Sequence, residues 1–222
     1  MEEIKKKSNP IIEVMNDRRS IRNYTPEEVS EEDLELILES ARQAPSGENA
    51  QPWRFIIVRD KKNKEYLAKI SKNASGRRFT GEFLSKQMQE RFKNLHDEKK
   101  RRAVFNKLTS GNVSAFVNEA DVILIICGRK GCWDLPYDCS AAIENILLAV
   151  TSLNLGACWV IAPSIDIRDE LKIESYFDVP VDYKVISIIS IGHPSRTPHA
   201  RPRIPLNEIV FNEKFGKFYY KK

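Results

Sequence analysis

Ala44-Pro45-Ser46-Gly47-Glu48-Asn49-Ala50-Gln51-Pro52-Trp53 reads as a turn between a helix and a strand. Pro45 and Gly47 break the helix before it, and a glycine lets backbone come close to a flat ligand because it carries no side chain. Ser46, Asn49 and Gln51 add neutral hydrogen-bonding groups. Pro52-Trp53 then enters Phe55-Ile56-Ile57-Val58, an apolar run of strand length. Alone, the stretch also reads as an ordinary helix-to-strand connection capped by a Trp. Its neighbours decide the matter.

Upstream, Ser30-Glu31-Glu32-Asp33 opens a helix: the Ser can cap it, and the acids suit its positive end. Leu34, Ile37, Leu38 and Ala41 recur at i, i+3, i+4 and i+7, which is one apolar face. Further back stands Arg18-Arg19-Ser20-Ile21-Arg22, after a short helix begun by Asn9-Pro10. Three guanidiniums this close repel one another, and Arg is the side chain suited to bidentate phosphate contacts. In an extended stretch Ser20 and Arg22 point one way and Arg19 the other. A basic surface loop is the competing reading.

Downstream, Asp60 to Ile70 is expected to be a helix. Residues 71–119 are polar, charged and weakly periodic, with helical spacing only at Phe83, Leu84, Met88 and Phe92, and are too long for a simple connection. A helical lid or excursion is expected there. Val122-Ile123-Leu124-Ile125-Ile126-Cys127 reads as a strand buried on both faces. Asp138 is expected to cap a long core helix, Cys158 to Ile161 to form a strand, Ser164 to cap a helix from Ile165 to Leu171, and Val185 to Ile191 to form the last strand. Two arginine-bearing stretches open the tail, Gly192-His193-Pro194-Ser195-Arg196 and Arg201-Pro202-Arg203-Ile204-Pro205. From about Pro198 the prolines predict a stiff extended arm. The expected fold is α+β: one domain over residues 1–222, with a central mixed sheet of four or five strands flanked by helices.

Composition narrows the function. Lys plus Arg number 36 against 31 acids, a net charge of +5. This suits an anionic ligand, yet a solvated basic surface is commoner. The runs Lys5-Lys6-Lys7 and Lys99-Lys100-Arg101-Arg102 have acidic neighbours and no aromatic platform, so nucleic acid is not expected. The charged start Met1-Glu2-Glu3-Ile4-Lys5 shows no signal peptide, and no apolar run reaches the roughly 18 residues a membrane helix needs. Four cysteines without a C-x-x-C pair suit a reduced, cytoplasmic protein with no metal site. Neither a G-x-S-x-G elbow, nor a G-x-G-x-x-G fingerprint, nor a phosphate-binding G-x-x-x-x-G-K loop occurs. His96, His193 and His199 have no evident triad partners.

Taken in order, Arg-Arg-Ser-Ile-Arg, then Ala-Pro-Ser-Gly-x-x-x-Gln-Pro-Trp, then Asp138-Cys139-Ser140-Ala141-Ala142-Ile143-Glu144-Asn145 leading to Leu155-Gly156-Ala157-Cys158-Trp159, and a late strand into Gly192, the chain resembles the nitroreductase family of flavoproteins. The resemblance implies an intertwined homodimer with two FMN sites at the subunit interface. It places Arg18, Arg19, Ser20 and Arg22 in one subunit's share of the site, with Arg22 nearest the pyrimidine edge. It places Pro45, Ser46, Gly47 and Asn49 in the other's. Arg201 and Arg203 would close on the phosphate, backbone at Ile161-Ala162 would face flavin N5, and Asn112 would match a flavin-edge asparagine. It implies ping-pong transfer of reducing equivalents from NAD(P)H through the flavin to a nitroaromatic, quinone or similar small acceptor, with no catalytic side chain. A reductive dehalogenase or oxygen-using flavin enzyme of the same fold is the alternative. A flavin- or nucleic-acid-binding module without turnover is the alternative from another class. Two features depart from the pattern: Glu48 puts an acid into the turn, and residues 71–119 have no clear match.

Overall fold

Alternation along one apolar strand sets the architecture. In the computed structural model, which describes residues 9–220, β1 (Trp53–Val58), β2 (Val122–Arg129), β3 (Gly156–Val160) and β4 (Tyr183–Gly192) form a sheet in the order β1-β2-β4-β3. All pairings between these strands are antiparallel. The four strands are thus antiparallel where a mixed sheet was expected, and a parallel bridge from Ser20 to Ala157 lies outside them, beside the outer edge of β3. The Lys5-Lys6-Lys7 run and the Met1–Lys5 start lie outside the described residues.

Val122, Leu124 and Ile126 pack into one core with α2 (Glu31–Arg42) and α6 (Leu135–Ser152). Ile123, Ile125 and Cys127 pack into the other, with α3 (Lys61–Glu82) and α8 (Ile167–Tyr176). Successive side chains of a strand point to opposite faces, so burial on both sides turns the whole strand apolar. α6 buries Cys139, Ala142, Ile143, Ile146 and Val150 against the first face. Truncating Ile143 or Ile146 to Ala costs about 2–5 kcal/mol.

β4 carries a bulge. Its pairing with β2 passes from Ser187 opposite Ile126 to Val185 opposite Cys127, leaving Ile186 out of register. Val185 and Ile188 therefore share one core although three residues apart. The Ser164 hydroxyl, in α7 (Ala162–Ile165), sits 2.6 Å from the Ile186 carbonyl oxygen and 2.9 Å from that of Ile161.

Three expectations are corrected. Ser164 caps nothing: the Asp166 side chain caps α8, accepting from the Arg168 amide at 3.0 Å. α6 begins at Leu135, which leaves Asp138 inside its first turn. α3 does not stop at Ile70 but runs to Glu82, because small residues (Ser71, Ala74, Ser75 and Gly76) continue its buried face. The caps expected at Asn9 and Ser30 form with side-chain acceptors, and the Asp60 side chain caps α3, accepting from the Asn63 amide.

Residues 71–119 are helical. After α3 come α4 (Lys86–Lys93), α5 (Glu98–Thr109) and a 3-10 stretch, Asn112–Glu119. Phe83 joins these helices, edge-on to Phe92 and Phe105 with centroids 4.5 and 4.6 Å away. Gly76 touches the end of α5 so closely that a Cβ there would stand 2.8 Å from the Thr109 carbonyl oxygen. Gly111 has φ +73, and a Cβ on it would collide with the Lys72 carbonyl. Arg77 pairs with Asp169 and Asp166, tying α3 to α8. The arm beyond Pro198 is extended except for the short α9 (Leu206–Ile209) and a Phe211–Phe218 bridge. Among the described residues no helix is long and apolar enough to cross a membrane.

Candidate active site

The arginine stretch is held as a strand-like edge. Its bridge to β3 brings the Ile21 amide 2.9 Å from the Ala157 carbonyl, and Ile21 is buried. Gly156 makes the room: a Cβ there would lie 2.7 Å from Ile21 Cγ1. The Tyr24 hydroxyl lies 2.9 Å from the Ile21 carbonyl and 2.8 Å from Ser190 Oγ, so it locks the stretch to β4. Burial pushes the Tyr24 phenol up, so it stays protonated in this role.

With Ile21 turned inward, its neighbours divide. Ser20 and Arg22 line a cleft of about 800 Å³. Arg19 faces the other way, its Nη1 donating to the Asn16 and Arg18 carbonyls at 2.5 and 2.8 Å. Arg18 ends α1 (Pro10–Asp17) and lies 3.9 Å from Glu144.

The cleft joins three other chain segments to the arginine stretch. Asn112 and Phe116 come from the 3-10 stretch, Lys107 from the last turn of α5, and Arg196, His199 and Arg201 from the start of the arm. The Arg22 guanidinium lies 5.8 Å from the Phe116 ring centroid, within cation–π range. Arg22, Lys107, Arg196 and Arg201 share this wall with one acid, Glu119. Among the described residues none of these four cations forms an ion pair. Cys158 lies near the cluster. Burial pushes its thiol up while Arg22 and Arg18 pull it back, and the balance leaves it raised and protonated at neutral pH.

The other expected site residues lie elsewhere on the chain. Pro45, Ser46, Gly47 and Asn49 form no part of the cleft wall. They build a turn at the start of α6, where the Gly47 amide donates to buried Asp138 Oδ1 at 3.1 Å and Ser46 Oγ accepts from the Gln51 amide at 3.0 Å. Glu48, Asn49 and Gln51 all have positive φ, at 52, 56 and 44. Such backbone strain in non-glycine residues clusters at functional sites. Glu48 is exposed. Ile161 and Ala162 lead from β3 into α7, with the Ile161 carbonyl accepting from the Ser164 amide at 3.0 Å. Arg203 is exposed and outside the cleft wall. Thus one chain brings together Ser20, Arg22, Asn112 and Arg201, and leaves the Pro-Ser-Gly turn apart. Sequence reasoning missed Lys107, His199 and the anchoring role of Asp138.

The sequence profile of the nitroreductase family matches residues 15–193. The chain belongs to the nitroreductase family. This nitroreductase-family chain is 31% identical over 195 residues to a Methanothermobacter thermautotrophicus protein provisionally named NADH dehydrogenase/NAD(P)H nitroreductase, covering 86% of the chain and 81% of that protein. It is 28% identical over 196 residues to an iodotyrosine deiodinase of Thermotoga neapolitana, covering 87% and 91%. A Bacteroides fragilis nitroreductase solved with bound FMN shares the fold at a TM-score of 0.62 and 23% identity, over 97% of this chain and 100% of that one. The helix-flanked antiparallel sheet is thus the nitroreductase fold.

Proposed function

We propose that this chain is an FMN-dependent oxidoreductase that takes reducing equivalents from NAD(P)H and passes them, in a ping-pong cycle, to a nitroaromatic, quinone or similar small acceptor. The observation that supports it is the cleft of Ser20, Arg22, Asn112 and Arg201, whose guanidiniums have no ion-pair partner among the described residues. A phosphate with nearly two negative charges fits such a wall, at about 1.5–3 kcal/mol for each charge-assisted hydrogen bond. Arg201 would hold the phosphate from the cleft wall, and Arg18, Arg19 and Arg203, which lie off that wall in the single chain, would have to turn toward it on binding. Arg22, Ser20 and Asn112 would hold the polar edge of the ring, and backbone at Ile161-Ala162 would face its reactive edge. FMN, when bound, supplies the hydride chemistry between the nicotinamide and the acceptor. The chain's part is to bind, to orient and to place positive charge at the ring edge. No side chain is assigned a proton.

The Pro45, Ser46, Gly47 and Asn49 turn reaches this site from a second copy. Two features support a homodimer. Ile11, Ile12 and Met15 leave an apolar stripe exposed on α1, at 64%, 51% and 48%. The free edge of β1 borders a groove lined by Leu36, Phe55 and Ile57. Contiguous apolar patches of this kind mark interaction surfaces.

The test is the visible spectrum of the purified protein with NADH or NADPH added. The expected result is a flavin spectrum, bleached by either nucleotide, with FMN affinity about 10–100-fold weaker in Arg22→Ala. A colourless protein that neither takes up FMN nor oxidises nucleotide defeats the reading. The deiodinase relative supports a second reading, reductive dehalogenation of an aromatic substrate. Halide release from an iodophenol separates the two.

A further inference from the structure

Two of the four cations on the cleft wall have no role in that reading. Lys107 sits in the last turn of α5 and Arg196 follows β4, so separate segments bring them to the same cleft as Arg22. Both are exposed. On α5, Arg102 lies 3.4 Å from Glu98 and Lys100 lies 4.0 Å from Asp97, while Lys99 and Arg101 have no ion pair among the described residues and, unlike Lys107, do not line the cleft. Lys107 has no such neighbour, and Glu119, the acid of the wall, forms no ion pair with it or with Arg196. The negative end of a helix favours a Lys in its last turn by only about 0.3–1 kcal/mol. That does not account for gathering unmatched cations around one concavity, where like charges oppose each other.

We infer that Lys107 and Arg196 form an anion subsite for the co-substrate, separate from the place of the flavin phosphate, and that it takes a terminal phosphate or carboxylate. The inference rests on the flavin reading above. That reading uses Arg201 for the FMN phosphate and Arg22 for the ring edge, which leaves Lys107 and Arg196, the other two cations of the wall, for a second anion entering the cleft. That anion comes either from the donor, as the phosphate that distinguishes NADPH from NADH, or from an acidic acceptor.

The experiment compares the FMN-loaded wild type with the Lys107→Gln/Arg196→Gln double variant by direct binding. Dissociation constants are measured for FMN, for NADP+ against NAD+, and for 4-nitrobenzoate against nitrobenzene. The expected result keeps FMN affinity within about twofold and weakens one anionic ligand by about tenfold or more, while its partner lacking that group moves less than about twofold. A shift for NADP+ identifies the donor as the source, and a shift for nitrobenzoate identifies the acceptor. The charge-preserving Lys107→Arg/Arg196→Lys variant should restore binding, which a folding defect would not allow. The subsite is overturned if FMN weakens as much as the anions do, or if the two members of each pair shift alike or not at all. Failure of the flavin reading looks different: the wild type itself then takes up no FMN, and this inference falls with it.

Discussion

Asp138 illustrates how a buried residue can fix a turn that is proposed to complete the site. It is 5% exposed and receives the Gly47 amide, fixing a turn in which three non-glycine residues hold positive φ. Asp138→Ala leaves that amide without its partner, at a cost of about 1–3 kcal/mol. The thermal midpoint should fall by several degrees and FMN affinity should weaken, whereas Asp138→Asn, which keeps an acceptor oxygen, should recover most of both. Melting curves and FMN titrations check this, and wild-type values for the Ala variant would refute it. That Ser20 and Arg22 share one side of their stretch while Arg19 takes the other was legible in the sequence, because alternation along an extended segment sorts their directions. Asp138 was not, because an acid before an apolar helix reads as a cap and its long-range partner lies 91 residues away. Lys107 was hidden by a helix charged on most sides, where no apolar stripe shows which side faces inward.

At the level of elements, the long apolar strand and the core helix were readable because their buried side chains are large. α3 was not readable beyond Ile70, since Ser71, Ala74, Ser75 and Gly76 bury backbone rather than bulk, and the Ser75 hydroxyl meets that of Ser114 at 2.6 Å. The close contact demands Gly111. Gly111→Ala should destabilise the protein by more than about 4 kcal/mol, in the range reserved for backbone collision and forbidden φ. Chemical denaturation measures it. α8 gives a pH signature. Burial pushes the Glu170 carboxyl above its ordinary 4.5, with Lys184, at 3.3 Å, pulling it back. A raised carboxyl pKa contributes stability that is complete below the unfolded value and lost as pH rises through the folded one. Glu170→Gln removes that dependence. Relative to wild type, the variant should therefore melt higher at about pH 8 than at about pH 5. A difference that does not vary with pH would assign Glu170 an ordinary titration.

For the whole molecule, the expected consequence is assembly. An α1 stripe of Ile11, Ile12 and Met15 together with an open β1 edge predicts a dimer by light scattering. Ile12→Glu should shift the protein toward monomer and weaken FMN binding in the same concentration range, because the Pro-Ser-Gly turn then no longer reaches the cleft. A monomer that binds FMN as tightly as the dimer would place the whole site within one chain. A site divided in this proposed way would leave no mark in local periodicity, since a residue completing a neighbour's site need not follow the pattern of its own element.

The contact of Gly76 with residues 109–111 has a consequence for how such a molecule can diversify. The chain departs from the core and rejoins it at nearly one point, so what lies between is a closed excursion whose ends are already spliced. Lengthening a closed loop adds only about 0.6 kcal/mol for each doubling. The segment between Gly76 and Gly111 can therefore be exchanged as a cassette, with Lys107 travelling inside it. A graft that keeps both glycines and the Arg77 pairing with Asp169 should change what enters the cleft while leaving the sheet beneath it intact.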